Sequence, residues 1–304
     1  MKLFQALVCA AILVPSSVGF NPSAFGQSPS ARQLALPERQ SISPEVLREL
    51  SRQAEITRNN NKILGGEPVA IADFPWQVAL VLGRFQEPQR SQFCGGSIIA
   101  PNWVLTAAHC LENTLVRKDP DRVNVVTGTS LYAAGGERLQ VAQLVIHPQY
   151  NPDTNDNDFA LLRLSASVTA GKPIALAEAN TQVTPGTRAW VTGWGATAEN
   201  GPGSLNLLGA EVPVVPNEVC NRPESYDGDI TSNMLCAGRE QGGVDSCQGD
   251  SGGPLAATTQ GTPTLVGVVS FGHGCGRRLK YGVYGRVTVA APWIASTIGA
   301  IGAK

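Results

Sequence analysis

The chain has 304 residues, of which 42% are hydrophobic and 15% charged, with 33 glycines, 21 prolines and a net charge of −1. The charged share lies well below the roughly 25% of an average protein, and glycine and proline are both frequent. This composition favours a turn-rich all-β protein and argues against a coiled coil or a disordered chain. A nearly neutral chain has no basic field that would attract nucleic acid, so we expect no nucleic-acid partner.

The N-terminus has the pattern of an export signal. Lys2 supplies a positive charge, residues 3–14 form a run that is apolar except for Gln5, and small residues follow at 17–19. We therefore expect a signal peptide over residues 1–19 and a secreted protein, extracellular or periplasmic, that has no contact with the membrane once the signal is removed. The alternative is a buried N-terminal helix, which Pro15 and the polar stretch after it disfavour.

Residues 20–62 form a polar segment that composition alone does not classify. They are rich in Ser, Gln, Arg and Pro, and they fit either a linker or a propeptide that ends in a cleavage site. A short helix is expected to start at the Ser-Pro-Glu sequence of residues 43–45. The composition of the sequence changes at Ile63, where short apolar runs begin. We expect the folded domain of the protein to span 63–304.

In this body, short strand-like runs alternate with Gly, Pro, Asn and Asp. Many short strands at such spacing predict a sandwich or a barrel. The tail has a helical pattern over Ala290–Ile301, where Trp293, Ile294, Ile298 and Ile301 share one face. The predicted strands are Trp76–Leu82, Gly96–Ala100, Arg122–Gly128, Leu139–Ile146, Phe159–Leu164, Arg188–Val191, Glu211–Val215 and Leu265–Ser270.

Six cysteines remain when Cys9, which lies in the expected signal peptide, is set aside. An even number in an exported chain indicates disulfides, for which fifteen pairings exist. A metal site is disfavoured because no two cysteines have Cys-x-x-Cys spacing and the chain has 3 histidines. The six are Cys94, Cys110, Cys220, Cys236, Cys247 and Cys275.

The segment from Asp245 to Pro254 carries the strongest sign of chemistry. Ser251 lies among glycines, which permit tight turns and leave backbone N–H groups unobstructed. The N–H groups of Gly249 and Ser251 could point into a common space and form an oxyanion hole. Taken alone, however, the sequence Gly-Asp-Ser-Gly-Gly fits an ordinary surface loop equally well.

Two further residues supply what a serine nucleophile needs, which is a base and a group that orients the base. His109 follows an apolar run and precedes Cys110, whose disulfide can fix the backbone there. Asp158 directly precedes an apolar strand that can carry it into the interior, where a carboxylate can orient an imidazole. We interpret the remaining histidines and the neighbouring aspartates as structural, solvated or turn residues: His147, His273, Asp153 and Asp156.

Several short motifs accompany the order His109, Asp158, Ser251 along the chain. They are Ile63-Leu64-Gly65-Gly66, Phe74-Pro75-Trp76-Gln77-Val78, Cys94-Gly95-Gly96-Ser97, Thr106–Cys110, Gly193-Trp194-Gly195, the Asp245 segment and Ser270-Phe271-Gly272. With these motifs the chain resembles the trypsin-like serine peptidases of the chymotrypsin fold, and the resemblance runs from residue 63 to about residue 300.

The resemblance implies an all-β fold of two six-stranded antiparallel β-barrels packed together with a C-terminal α-helix. The first barrel is expected at about 63–177, the second at about 183–290 and the helix at about 290–301. The disulfides that the resemblance implies join Cys94 to Cys110, Cys220 to Cys236, and Cys247 to Cys275.

The resemblance also implies a mechanism. Ser251 attacks the peptide carbonyl, His109 takes its proton, and Asp158 orients the imidazole. Gly249 and Ser251 provide the oxyanion hole, and Ser270 supports the buried carboxylate. We expect a monomeric endopeptidase whose partners are protein or peptide substrates and protein inhibitors of peptidases.

Specificity is expected to follow from Asp245, which in this family forms the floor of the primary substrate pocket. A desolvated carboxylate without a partner costs several kcal/mol, so cleavage after Arg or Lys is favoured. The alternative, that Asp245 only caps a turn, predicts no such preference. The residues expected to bind substrate are Asp245, Ser246, Gln248, Ser270, Gly272 and Gly282.

The pair Lys62-Ile63 resembles the activation site of a zymogen. In the family, the α-amine freed by cleavage folds inward and pairs with the acidic residue before the nucleophile, here Asp250, and so sets the oxyanion loop. Because the Asp245 pocket would accept Lys62, self-activation is a reasonable hypothesis.

Other functions and metal sites are disfavoured. A non-catalytic binding module of this fold would usually have lost the serine or the histidine, and Asp245 argues against an esterase or a peptidase with aromatic preference. The calcium loop of many relatives would fall at Gly128–Glu137, where Glu137 is the one acidic residue. Tyr281 is compatible with a sodium site, but the adjoining loop 276–280 is cationic. We therefore expect no cofactor and no metal.

Overall fold

The computed structural model describes residues 64–83, 91–131 and 134–302, which all belong to one compact unit of the chain, Glu49–Lys304. The expected signal peptide, the segment 20–62 with Lys62, and Ile63 lie outside the described residues. Within the part that is described, no helix is both long enough and apolar enough to cross a membrane.

The described residues form fourteen strands and three α-helices. The strands are β1 (Glu67–Pro68), β2 (Gln77–Leu82), β3 (Gln92–Ala100), β4 (Trp103–Thr106), β5 (Val123–Thr127), β6 (Glu137–Ile146), β7 (Ala160–Leu164), β8 (Ala175–Leu176), β9 (Arg188–Gly193), β10 (Leu208–Val215), β11 (Met234–Ala237), β12 (Pro254–Thr259), β13 (Thr262–Phe271) and β14 (Gly282–Arg286). The helices are α1 (His109–Glu112), α2 (Asn217–Cys220) and α3 (Val287–Gly302), and Pro120–Arg122 forms a 3-10 turn.

The first barrel is closed and has the strand order β2-β3-β4-β7-β6-β5, with antiparallel neighbours throughout. Its strand β2 is buried along its whole length. Val78, Leu80 and Leu82 belong to the main core, while Ala79 and Val81 pack in a cluster with residues that flank β9 and β10. The uninterrupted apolar run of β2 therefore reflects burial on both faces of the strand.

The second barrel consists of strands β9 to β14, which do not pair in the order in which they follow one another along the chain. The sequence of neighbours is β10-β11-β14-β13-β12-β9, and the pairing of β9 with β10 closes the circle. Two short strands lie outside it, β1 on β10 and β8 on β13. Two six-stranded antiparallel barrels with a C-terminal helix confirm the predicted fold class.

All eight strands predicted from the sequence are present, with ends shifted by up to a few residues. The predicted C-terminal helix is also present and begins earlier than expected, at Val287. Ile294 is buried on this helix, and Trp293 packs edge-on against His147 with ring centroids 4.7 Å apart.

Three disulfides join the pairs that the family resemblance implies, Cys94–Cys110, Cys220–Cys236 and Cys247–Cys275. The first ties β3 to α1, and the third ties the loop before Ser251 to the loop after β13. In a chain-entropy treatment, closing loops of this size contributes about 3 kcal/mol each to the free energy of unfolding.

Candidate active site

The pairing of β4 with β7 brings His109 and Asp158 together. Thr106 at the end of β4 is opposite Ala160 at the start of β7, so the residues just beyond each end share one edge of the barrel. His109 begins α1 three residues after the last residue of β4, and Asp158 lies two residues before the first residue of β7. The result is a hydrogen bond of 2.7 Å between His109 Nδ1 and Asp158 Oδ2.

The carboxylate of Asp158 is buried and receives three hydrogen bonds. Besides the imidazole, the backbone N–H of His109 donates to Oδ1 at 3.0 Å and Ser270 Oγ donates to Oδ2 at 2.5 Å. Because both oxygens are acceptors, the proton of a neutral His109 is on Nδ1 and its Nε2 has a free lone pair. The arrangement therefore orients the ring as a general base.

Ser251 lies on a loop of the second barrel that packs against the first. Its carbonyl accepts a hydrogen bond from Gly95 N at 2.7 Å. The next residue, Gly252, has a φ of +78°, and a Cβ there would lie 2.1 Å from Thr106 Oγ1. A glycine is thus required at this point, where the serine loop touches the segment that leads into His109.

No hydrogen bond joins Ser251 Oγ to His109 among the described residues. The Nε2 atom of His109 instead lies 3.8 Å from Cys110 Sγ. Hydrogen bonds of this kind are often long or misaligned in enzymes without substrate and tighten in the Michaelis complex. The structure therefore places the serine loop against the segment that leads into His109, and it shows no direct contact between the two side chains.

The N–H groups of Gly249 and Ser251 are free to bind a ligand. Neither donates an intramolecular hydrogen bond to the residues that the structure describes. Gly249 has a φ of +95°, a backbone conformation that suits glycine. Two unpaired backbone donors beside a serine are what an oxyanion hole requires.

Asp250, between those two residues, is buried against the second barrel. Its Oδ1 accepts from Gly195 N at 2.8 Å and its Oδ2 from Cys247 N at 3.0 Å. A Cβ on Gly195 would lie 2.6 Å from Oδ2, so the Gly-Trp-Gly motif leaves the room that this carboxylate needs. Burial raises the pKa of Asp250 to about 6, although the two N–H donors act in the opposite direction.

A cavity of about 180 Å³ opens beside Ser251. Four other cavities in the described part are larger, at about 300, 430, 550 and 700 Å³, but neither Ser251 nor any residue expected to bind substrate lines them. The cavity beside Ser251 is lined by all six residues expected to bind substrate, so the expected nucleophile and the expected specificity residues lie together. The six are Asp245, Ser246, Gln248, Ser270, Gly272 and Gly282.

Asp245 is the one carboxylate that lines this cavity, and it is 4% exposed. Its Oδ2 accepts from Gly276 N at 2.9 Å, and a Cβ on Gly282 would lie 2.8 Å from its Oδ1. Burial raises the pKa of Asp245 to about 7, against the lowering effect of the N–H donors of Gly276 and Ser246. A carboxylate in this state gains strongly from a cationic partner.

Asp156 has a role that its sequence context did not reveal. We expected a solvated or turn residue, but its Oδ1 accepts from Thr231 Oγ1 at 2.6 Å and its Oδ2 from Asn233 Nδ2 at 2.9 Å. These bonds connect the loop that carries Asp158 to the loop before β11 in the second barrel. The partners are 75 and 77 residues away, so no local pattern indicates the contact.

In the described part of the chain, the side chains that resemble metal ligands make other bonds. Cys94, Cys110 and His109 have ligand atoms within 4.8 Å of one another, but the two sulfur atoms are joined in a disulfide. Glu137, in the segment that corresponds to the calcium loop of relatives, accepts hydrogen bonds at Oε2 from the N–H groups of Thr169 and Ala170.

The two six-stranded barrels with a C-terminal helix match the chymotrypsin fold of serine peptidases. The profile of the trypsin family matches residues 63–294. The chain is also 38% identical over 245 residues to Trypsin 5G1 of Aedes aegypti, in an alignment that covers 80% of this chain and 87% of that protein. The chain belongs to the trypsin family and is a serine endopeptidase that acts on protein substrates.

Proposed function

We propose that this enzyme is a secreted endopeptidase that cleaves after Arg or Lys, with His109, Asp158 and Ser251 as its catalytic residues. The observation that carries the specificity is the buried Asp245 in the cavity beside Ser251. In the proposed organisation, residues 1–19 are a signal peptide, 20–62 a propeptide and 63–304 the peptidase domain. The three disulfides are consistent with an oxidising, extracellular or periplasmic location.

Acylation begins when Ser251 Oγ forms a bond to the carbonyl carbon of the scissile peptide and its proton passes to His109 Nε2. The carbonyl oxygen becomes an oxyanion that accepts hydrogen bonds from the N–H groups of Gly249 and Ser251. The imidazolium is stabilised by Asp158, which stays unprotonated. The C–N bond then breaks, His109 returns the proton to the leaving amine, and an acyl-enzyme remains.

Deacylation repeats the same steps with water as the nucleophile. His109 takes a proton from water, the hydroxyl oxygen bonds to the acyl carbon, and the second tetrahedral intermediate collapses. The ester bond to Ser251 Oγ breaks, and His109 protonates the departing serine oxygen. Ser270 contributes by donating to the carboxylate that holds the imidazole in place.

The pH dependence of ligand binding is a first prediction. Because the pKa of Asp245 is about 7 in the empty pocket, a cationic ligand must bind the ionised form and shifts the carboxyl toward ionisation. We expect the affinity for an aromatic amidine to be constant above pH 8 and to fall about tenfold per pH unit below pH 6.5, with release of a proton on binding. Calorimetry in buffers of different ionisation enthalpy measures both quantities.

The amidine titration is best performed on Ser251→Ala that added wild-type enzyme has cut at Lys62, because this variant cannot digest itself during the measurement. Asp245→Ser in the same background is the matched control and is expected to bind weakly without this pH dependence. Affinity that stays constant from pH 5 to pH 8 would show that the carboxyl is not held near pH 7 by burial.

Activation at Lys62–Ile63 is supported by what surrounds Asp250. Only neutral N–H groups of the described residues donate to this buried carboxylate, which a protonated amine would stabilise. Leu64, the residue after Ile63, packs beside Ala196, Cys247 and Cys275. The chain just beyond the proposed cleavage point therefore lies next to the loop that holds Asp250.

A second prediction concerns this processing. Wild-type precursor expressed alone is expected to acquire a new N-terminus at Ile63 and activity together, because the Asp245 pocket accepts Lys62. Ser251→Ala precursor is expected to stay intact alone and to be cut at the same bond when wild-type enzyme is added. N-terminal sequencing follows both. Processing of Ser251→Ala without added enzyme contradicts self-activation, and full activity of an uncleaved Lys62→Gln precursor contradicts the zymogen.

A further inference from the structure

Gln92, at the start of β3 in the first barrel, reaches across to the loop that carries Ser251. Its Nε2 donates to Gly249 O at 2.8 Å and to Cys94 O at 3.1 Å. A primary amide has two N–H donors, and both are used here. The reverse orientation of the amide would place its oxygen against two carbonyl oxygens, so the hydrogen-bond network defines which atom is the nitrogen.

The same strand holds the serine loop at a second point. Gly95 N donates to the carbonyl of Ser251 at 2.7 Å. Residues 249 and 251 thus each have their carbonyl bound by β3, and they are the two residues whose N–H groups form the proposed oxyanion hole. The contact at Ser251 is made by backbone alone, whereas the contact at Gly249 depends on the side chain of Gln92.

Gly249 is the member of the pair that most needs such a restraint. Glycine has more backbone freedom than any other residue, and its φ of +95° is one of many conformations open to it. The position is also tight, since a Cβ on Gly249 would lie 3.1 Å from Gly195 Cα and 3.3 Å from Gln92 Oε1. Without a partner for the carbonyl, rotation about the bonds of the Gly249 Cα would redirect its N–H.

We propose that Gln92 is a positioning residue, which keeps the N–H of Gly249 directed at the developing oxyanion by binding the Gly249 carbonyl. This inference rests on the proposed function. Gln92 does not line the cavity of Asp245, and it acts through Gly249. Its loss therefore weakens stabilisation of the transition state and leaves ground-state binding of the substrate side chain intact.

The test uses two replacements of similar size that cannot donate, Gln92→Glu and Gln92→Met, in the processed enzyme. With a peptide amide of arginine, we expect kcat to fall at least about tenfold, because a misdirected donor loses part of the roughly 10²–10³-fold contribution of an oxyanion contact. KM is expected to stay within about twofold. The same substitution at an exposed glutamine on β6, Gln140→Glu, is the matched control and should leave both constants unchanged.

Two inhibitors separate positioning from a general structural role. A peptide aldehyde of arginine adds Ser251 Oγ to its carbonyl carbon and places an oxygen in the oxyanion hole, whereas an aromatic amidine only fills the Asp245 pocket. Affinity for the aldehyde is expected to fall by the same factor as kcat, with affinity for the amidine unchanged. Wild-type kcat in both variants, or an equal loss of affinity for the two inhibitors, overturns the inference.

The outcome also distinguishes this inference from the proposed function. Failure of the proposed function is visible in the wild-type enzyme, which would then neither cleave the amide nor bind the aldehyde. If the wild type cleaves after another residue, the amide and aldehyde of that residue replace those of arginine and the comparison stands. Thermal unfolding shows which variants are folded. If Gln92→Glu does not fold, the kinetics and inhibitor affinities of Gln92→Met test the inference.

Discussion

We expect the replacement of Ser251 by Ala to lower kcat for peptide amides by about 10⁶, and His109→Ala to have an effect of similar size. The two side chains act as one unit, since a serine without its base is a poor nucleophile and an imidazole without the serine has nothing to activate. The double variant is therefore expected to be no slower than either single variant. Steady-state kinetics of the processed enzymes, at protein concentrations measured by absorbance, determine these losses.

The residual activity of these variants is informative as well. The N–H groups of Gly249 and Ser251 remain in Ser251→Ala, so a rate about 10³–10⁴ above the uncatalysed reaction is expected to persist. Ser165→Ala, at an exposed position after β7, is the matched control and should retain full activity. A Ser251→Ala enzyme within tenfold of wild type would mean that another group is the nucleophile.

We expect the replacement of Asp245 by Ser to abolish the proposed preference for Arg and Lys. Removing one partner of a buried, desolvated charge pair costs about 3–5 kcal/mol, so kcat/KM for an arginine amide is expected to fall by about 10²–10³ or more. Substrates with a neutral side chain at this position should be cleaved no worse than before, because a costly buried carboxylate has been removed from their pocket. Kinetics with a matched series of Arg, Lys, Phe and Leu amides test this.

The same substitution at Asp153, which is exposed in the loop before β7, serves as the control for a change of charge alone. It should alter kcat/KM for the arginine amide by less than about twofold, since exposed charges are screened by solvent. Retention of the Arg and Lys preference in Asp245→Ser would assign specificity to another group.

Much of the fold could be predicted because its strands are apolar and separated by turn residues. Eight strands and the C-terminal helix follow from local pattern. Six strands of the described part were missed. β1 and β8 have two residues each, and β4 and β11 have four. β12 begins at a proline, and β14 includes Gly282 and Gly285, and both features weaken a strand pattern. In the structure these strands are stabilised by hydrogen bonds to neighbouring strands. Those neighbours are distant in the chain, so the local sequence pattern carries no information about them.

The candidate site also has residues that could be predicted from the sequence and contacts that could not. His109, Asp158 and Ser251 stand out because each has distinctive neighbours in the chain. The contacts that orient them are less visible, since Gln92 and Gly249 are 157 residues apart and Ser270 and Asp158 are 112 apart. The bond from Ser270 could be expected only through the family resemblance. The bond that Gln92 donates and those that Asp156 accepts join the two barrels, so no local pattern in the sequence indicates them.

Reaction with a peptide phosphonate that has an arginine-like side chain, followed by peptide mapping by mass spectrometry, tests the central claim most directly. The reagent needs both an activated serine and a pocket for a cation. The account predicts a single adduct on Ser251, which is lost in His109→Ala and suppressed by an aromatic amidine. A folded, processed enzyme that forms no adduct, or forms it on a residue other than Ser251, would contradict the account.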